Sequence, residues 1–243
     1  MTLAIDAGNT FVKIAVFQSD DIIDVQKFRA GNFFQKISAV LEKHDEITDI
    51  VIASVNNTFE KELYKLGKKV SVHKLGDLPR LPFENRYATP ATLGADRVAL
   101  VSAACKVYPG KNVLVVDSGT CITYDFLTTE GAYLGGAISP GIQMRFKALH
   151  TFTARLPLID AVEFEDFIGD STTASIRSGV LNGVVNEIDG VIGQYKRRFK
   201  HLTVILTGGD LDFLSKQLKS SIFANSNFLL EGLNYILELN KNQ

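Results

Sequence analysis

Two stretches, one in each half of the chain, constrain its fold more than anything else in the sequence. Ile5-Asp6-Ala7-Gly8-Asn9-Thr10 and Val116-Asp117-Ser118-Gly119-Thr120 share one grammar: apolar strand, aspartate, small residue, glycine, amide or hydroxyl, then a strand again. Glycine permits the sharp reversal. Val12, Ile14 and Val16, alternating with Lys13 and Ala15, mark the strand that leaves the first turn. Ile22–Phe28 reads as a third strand after Asp20-Asp21. The second half repeats this order with Asn112–Asp117, Cys121–Leu127 and Ala132–Ile138. A chain that opens twice on an antiparallel meander predicts two α/β halves, each a mixed sheet flanked by helices.

The rest of the chain fits that frame. Apolar spacing at Phe33, Ile37, Val40 and Leu41 predicts a helix, followed by a strand at Asp49–Ser54. A short helix over Phe59–Leu66 and a strand over Val70–Leu75 come next. Residues 76–91 carry Pro79, Pro82 and Pro90 and read as a loop or flap. Helical spacing resumes from Leu93 to Val107, and Pro109-Gly110 ends it. That join predicts lobes at 1–110 and 111–243. Later come a long helix at Thr172–Phe199, a strand at Leu202–Leu206 with its turn Thr207-Gly208-Gly209-Asp210, and helices at Leu211–Leu218 and Phe228–Leu239.

Composition excludes several function classes. Lys plus Arg number 26 against 27 Asp plus Glu, so no broad basic face exists to neutralise nucleic-acid phosphates. His44, His73, His150 and His201 are scattered, and Cys105 and Cys121 form no CxxC, so no zinc spacing is present. No apolar run nears the roughly 18 residues of a membrane span. No leader pattern precedes Asp6, and the expected location is cytoplasmic.

The turns themselves suggest chemistry. A strand-end carboxylate beside exposed backbone N–H groups, with Thr10 or Thr120 adding a hydroxyl, suits phosphate binding through a cation. The Gly208-Gly209 pair would let a nucleoside lie against backbone, with Asp210 as a helix N-cap in the plainer reading. Three such turns in this order fit a bilobed ATP site. In Gly94-Ala95-Asp96-Arg97, Asp96 could take a proton from an attacking hydroxyl and Arg97 could clamp a carboxylate. The plainer reading makes Asp96 a helix-dipole partner and leaves Arg97 solvated. Thr172 is either the N-cap of the long helix or a hydroxyl offered to a polar substrate.

In order, Asp6-Ala7-Gly8-Asn9-Thr10, Gly94-Ala95-Asp96-Arg97, Asp117-Ser118-Gly119-Thr120, Gly135-Gly136-x-Ile138-x-Pro140-Gly141 and Thr172 with Ser178-Gly179 closely resemble the type III pantothenate kinases. The resemblance runs from Leu3 to Asp210 and includes Leu229–Leu233. It implies the duplicated ribonuclease-H-like fold of the actin, Hsp70 and sugar kinase superfamily. It implies ATP-dependent phosphorylation of pantothenate to 4′-phosphopantothenate, the first step of coenzyme A synthesis. Mg²⁺, a monovalent cation (K⁺ or NH₄⁺), and a homodimer with pantothenate bound at the interface are implied too.

By motif, the resemblance assigns Asp6, Ala7, Gly8, Asn9, Thr10, Phe11, Val12 and Lys13 to the ATP phosphates, with Asp6 near Mg²⁺ and Thr120 also on ATP. It assigns Tyr87, Gly94, Ala95, Asp96, Arg97 and Thr172 to pantothenate, with Asp96 as general base and Thr172 reaching in from the other subunit. Asp117 would help hold the monovalent cation. Cys121 stands where the family often has alanine, and Phe11 where many members have a polar residue. The rival readings are a kinase for another small hydroxy acid and an actin-like ATP-binding regulatory protein.

Overall fold

The computed structural model describes residues 1–8, 10–54, 58–64, 70–160 and 166–241. The chain opens on β1 (Thr2–Ala7), β2 (Phe11–Gln18) and β3 (Asp21–Arg29), followed by α1 (Phe33–Lys43), β4 (Asp49–Ser54), α2 (Thr58–Tyr64) and β5 (Ser71–Lys74). Residues 65–66, the end expected for α2, lie outside the described residues. The strands form a mixed sheet in the order β3-β2-β1-β4-β5. β1 pairs antiparallel with β2 and parallel with β4, so the meander and the crossover are both present.

The loop at 76–91 contains a two-residue strand, β6 (Glu84–Asn85), which period-based reading could not find. α3 (Ala95–Val107) follows. The chain then repeats its opening with β7 (Val113–Ser118), β8 (Cys121–Leu127) and β9 (Ala132–Pro140). After α4 (Ile142–Thr151) and the long α5 (Thr172–Arg198) come β10 (Thr203–Gly208), α6 (Leu211–Gln217), β11 (Phe223–Ala224) and α7 (Phe228–Lys241).

Two compact units emerge. One holds Met1–Gly110, Glu130–Tyr133 and Asn227–Gln243; the other holds Lys111–Thr129 and Leu134–Ser226. In the first unit, one sheet face packs Leu3, Ile5, Val12 and Ile14 against Phe33, Ile37 and Val40 of α1. The other face packs Ala4, Ala15, Val51 and Ala53 with Ala99 of α3 and Leu230, Leu233 and Ile236 of α7. α3 is therefore covered on nearly every side, and its small residues Ala99, Ser102, Ala103 and Ala104 are all buried. The approach to α7 is close enough that a Cβ at Gly232 would lie 1.9 Å from the Ala99 carbonyl oxygen. α7, last in the sequence, thus backs the helix that opens with Gly94-Ala95-Asp96-Arg97. β6 pairs parallel with Ala132 and Tyr133, which brings the start of β9 into the same unit.

In the second unit the sheet runs β11-β10-β7-β8-β9. α5 presents Ile176, Val180, Val184, Ile188 and Ile192 at every fourth position, toward Leu114, Val116, Tyr124 and Phe126. Among the described residues no helix is long and apolar enough to cross a membrane.

Candidate active site

The first turn is built by hairpin register. Asp6 lies directly opposite Lys13 and Ala7 opposite Val12, so a lysine on β2 faces the strand-end carboxylate. Ala7 and Val12 turn their side chains into the core and have only backbone to offer a ligand. Thr10 and Phe11 are exposed; the Ala30 N–H donates to the Thr10 carbonyl at 3.0 Å, and Lys27 Nζ lies 5.2 Å from the Phe11 ring centre. Asn9 lies outside the described residues.

Asp96 sits in the first turn of α3, just past Gly94, and its Oδ1 accepts the Arg97 N–H at 2.8 Å. It is near enough to Asp6 to act on it. Burial pushes the Asp6 carboxyl up most, the Asp96 charge pushes it further, and Lys13 only partly opposes them; the result is about 6 rather than 3.8. Strand end and helix start thus bring two carboxylates and one lysine within electrostatic reach of one another.

Arg97 is buried, 5% exposed, which corrects the plainer expectation of a solvated guanidinium. Its Cζ lies 5.5 Å from the centre of the Tyr87 ring. Tyr87 in turn stacks on Tyr133, with centroids 6.0 Å apart and planes at 27°, and Phe83 meets Tyr133 edge-on at 5.8 Å. Main-chain bonds fix this loop: Glu84 N–H to Gly131 O at 2.9 Å and Arg86 N–H to Tyr133 O at 3.0 Å.

The second turn is held by neighbours from far along the chain. The Gly141 N–H donates to Thr120 O at 3.1 Å and the Asp210 N–H to Ser118 O at 3.0 Å. Ser118 Oγ donates to Asp210 Oδ2 at 3.0 Å. Asp210 stands at the N-cap position of α6, as expected, and its carbonyl accepts the Leu214 N–H at 3.0 Å, but its side chain makes no cap bond and braces the turn instead. Gly208 has φ +101°, and a Cβ there would lie 2.2 Å from Ser118 O and 2.4 Å from Asp117 Oδ1. Opposite Asp117 on β8, Thr123 Oγ1 is buried with no hydrogen-bond partner among the described residues.

Thr172 is exposed at the start of α5 and does not cap it; Ser171 does, accepting the Ala174 N–H at 3.3 Å. Thr172 lines a cavity of about 990 Å³ with Arg145, Gly169 and Ser175. Arg145 is fixed there by the Pro140 carbonyl at 2.9 Å, by Ser139 Oγ at 2.8 Å and by an ion pair with Glu187. Tyr124 donates to the same carboxylate at 3.0 Å. Burial works against a charged Glu187, but hydrogen bonds from Arg145, Ser139 and Tyr124 prevail and lower its pKa. Tyr133, Arg145 and Glu187 carry no motif, and nothing in their spacing could have singled them out. Among the described residues no three His, Cys, Asp or Glu side chains gather as a metal cage.

A family model described as type III pantothenate kinase matches residues 2–194. The type III pantothenate kinase of Christiangramia forsetii is 53% identical over 243 residues, covering 100% of both chains. A solved structure from Campylobacter jejuni, described as a Baf family transcriptional activator, aligns with TM-score 0.63 at 22% identity, over 99% of this chain and 100% of that one. A glucokinase from an Antarctic psychrotroph aligns at TM-score 0.51 and 11% identity, over 98% of each chain. The two structural likenesses speak for the fold alone.

Proposed function

Because the chain belongs to the type III pantothenate kinase family, we propose that it transfers the γ-phosphoryl group of ATP to the primary hydroxyl of pantothenate. The product is 4′-phosphopantothenate, made at the first step of coenzyme A synthesis. The observation that supports the residue roles best is that Asp6 lies opposite Lys13 and within electrostatic reach of Asp96.

In this reading the first turn, Asp6 to Lys13, receives the ATP phosphates through its backbone and the Lys13 ammonium. Thr120 offers a hydroxyl to the nucleotide from the second turn. Asp96 orients the acceptor hydroxyl and takes its proton as the new P–O bond forms. Arg97, whose Cζ lies over the Tyr87 ring, meets the acceptor's carboxylate two-pronged. A small anionic acceptor such as pantothenate suits that guanidinium better than a neutral sugar. Gly94 and Ala95 supply the start of α3, and Thr172 supplies a hydroxyl to pantothenate from a partner copy.

The residues fit the implied cations. Asp6 and Asp96 together hold more negative charge than Lys13 offsets, and a phosphate chain adds more. One or two carboxylates plus phosphate oxygens is the ordinary donor set for Mg²⁺. When bound, Mg²⁺ supplies neutralisation of charge on the transferred group. Asp117, with the orphaned Thr123 hydroxyl opposite it, suits an oxygen-seeking monovalent cation such as K⁺ or NH₄⁺. A homodimer is part of the proposal, supported by the exposed rings of Phe152 and Phe167. A cytoplasmic location, with neither nucleic acid nor membrane as partner, completes it.

The test is ADP release from Mg·ATP in K⁺ buffer, with and without pantothenate. Pantothenate-dependent release that falls when Na⁺ replaces K⁺ is expected. Absence of release in folded protein that still binds ATP would transfer the site to another hydroxy acid or to a regulatory role. A panel of acceptors and sedimentation with ATP separate those two.

A further inference from the structure

Arg97 carries its positive charge in an almost fully buried position, and a buried guanidinium needs its orientation fixed. Three aromatic rings surround that task. Tyr87 lies over the guanidinium, Tyr133 stacks on Tyr87, and Phe83 abuts Tyr133 edge-on. Tyr133 is the fixed end of this pile: it is 0% exposed, whereas Tyr87 is half-buried on a proline-rich loop. The same residue anchors that loop by its main chain, since Tyr133 O accepts the Arg86 N–H and Tyr133 pairs with Asn85 across β6 and β9. Tyr87 is tied down once more by its own N–H, which donates to Asn85 Oδ1 at 3.0 Å.

A cation held against a ring face has only its edge left to donate in plane. The ring over that cation is itself stacked on Tyr133, with centroids 6.0 Å apart. We propose that Tyr133 is a positioning residue for the acceptor: it holds Tyr87 over Arg97 so that the guanidinium edge is preset for a carboxylate. Fully buried, Tyr133 acts through Tyr87 and Arg97 rather than on the acceptor itself. The inference rests on the reading of Arg97 as the carboxylate clamp.

Steady-state kinetics of the full chain, varying MgATP and pantothenate separately, tests both. Arg97→Ala is expected to raise the pantothenate KM at least tenfold. Tyr133→Leu is expected to raise the same constant several-fold while the ATP KM stays within twofold. Tyr133→Phe, which keeps the ring, keeps the pantothenate KM within twofold of the parent. In the double variant the Tyr133→Leu effect disappears, because the leucine acts only through Arg97. A general packing defect would lower the active fraction and leave both KM values alone, and that result overturns the proposal. An Arg97→Ala chain with normal pantothenate KM overturns the clamp reading itself. Unchanged pantothenate KM in Tyr133→Leu beside a raised one in Arg97→Ala overturns only the positioning role. Should Tyr133→Leu not fold, Tyr133→Met fills more of the space and carries the same criteria.

Discussion

β1 and β7 match residue for residue in burial: four buried positions, a largely buried aspartate, then a buried small residue. Their pairing matches too. Asp6 lies opposite Lys13 on the antiparallel neighbour and beside Ala53 on the parallel one; Asp117 lies opposite Thr123 and beside Thr207. What differs is what each turn meets. The first meets a second carboxylate, Asp96, and a lysine. The second is braced by Ser118–Asp210 and by the Gly141 N–H. A strand–Asp–x–Gly–strand motif therefore sets where a carboxylate and a row of N–H groups will stand. Residues from elsewhere in the fold decide what gathers there: a carboxylate with a lysine at the first turn, a serine-bound carboxylate at the second.

The largest effect that separates the two turns is chemical. Asp96→Asn keeps the shape of the α3 start and removes the proton acceptor; turnover should fall about 10³-fold, the ordinary contribution of a general base. ATP binding, followed by fluorescent-nucleotide titration, should persist. Near-parental turnover would remove Asp96 from the base role and leave the first turn without its distinguishing chemistry.

The next effect is structural and falls on the second turn. Gly208 and Ser54 occupy the same register position, one beside Ser118 and the other beside Ala7. Only Gly208 has a left-handed φ and a carbonyl where Cβ would go. Gly208→Ala should cost about 3 kcal/mol of stability, read from the urea midpoint. Ser54→Gly should cost about 1 kcal/mol. Equal losses would mean that the two parallel neighbours are interchangeable and that the bracing of the second turn is incidental.

Much of this frame is legible in the order of residues alone. Cys121–Leu127 and Asp49–Ser54 form strands with the expected bounds, because apolar runs between turn residues admit few other readings. The duplication is legible because both copies keep aspartate and glycine at the same turn. Other features leave no local trace. β6 spans two residues, too few to show a period. The return of α7 to the first unit depends on which apolar face finds which, and only the close approach of Gly232 to α3 marks it. Asp210 is legible as the N-cap of α6, but nothing local shows that its carboxylate accepts a serine hydroxyl rather than a helix N–H. Arg97 reads as solvated because sequence shows its charge and hides the rings that gather over it.

The pH dependence of stability should also distinguish the turns. In the folded chain Asp6 titrates near 6, above its ordinary 3.8. The folded state therefore favours the protonated carboxyl. That contribution is complete below about pH 3.8 and is lost as pH rises through about 6. Asp6→Asn removes the titration. In chelator-containing buffer, chemical denaturation of the variant and the parent should agree near pH 4 and separate by about 2 kcal/mol by pH 8, with the variant more stable. No separation would show that Lys13 already balances the site.

The smallest effect concerns the brace itself. Ser118→Ala deletes the hydroxyl bound to Asp210 and keeps the main-chain bond from the Asp210 N–H to Ser118 O. A single neutral-to-charged hydrogen bond of this kind should be worth about 1.5 kcal/mol in a double-mutant cycle with Asp210→Ala. Ala7 is the matching position in the first turn and is buried in the core. Ala7→Ser would bury a hydroxyl there at a cost of about 1–3 kcal/mol. If the Ser118–Asp210 coupling is near zero, backbone geometry alone steadies the second turn. The difference between the turns then reduces to Asp96, and the first turn becomes the exceptional one.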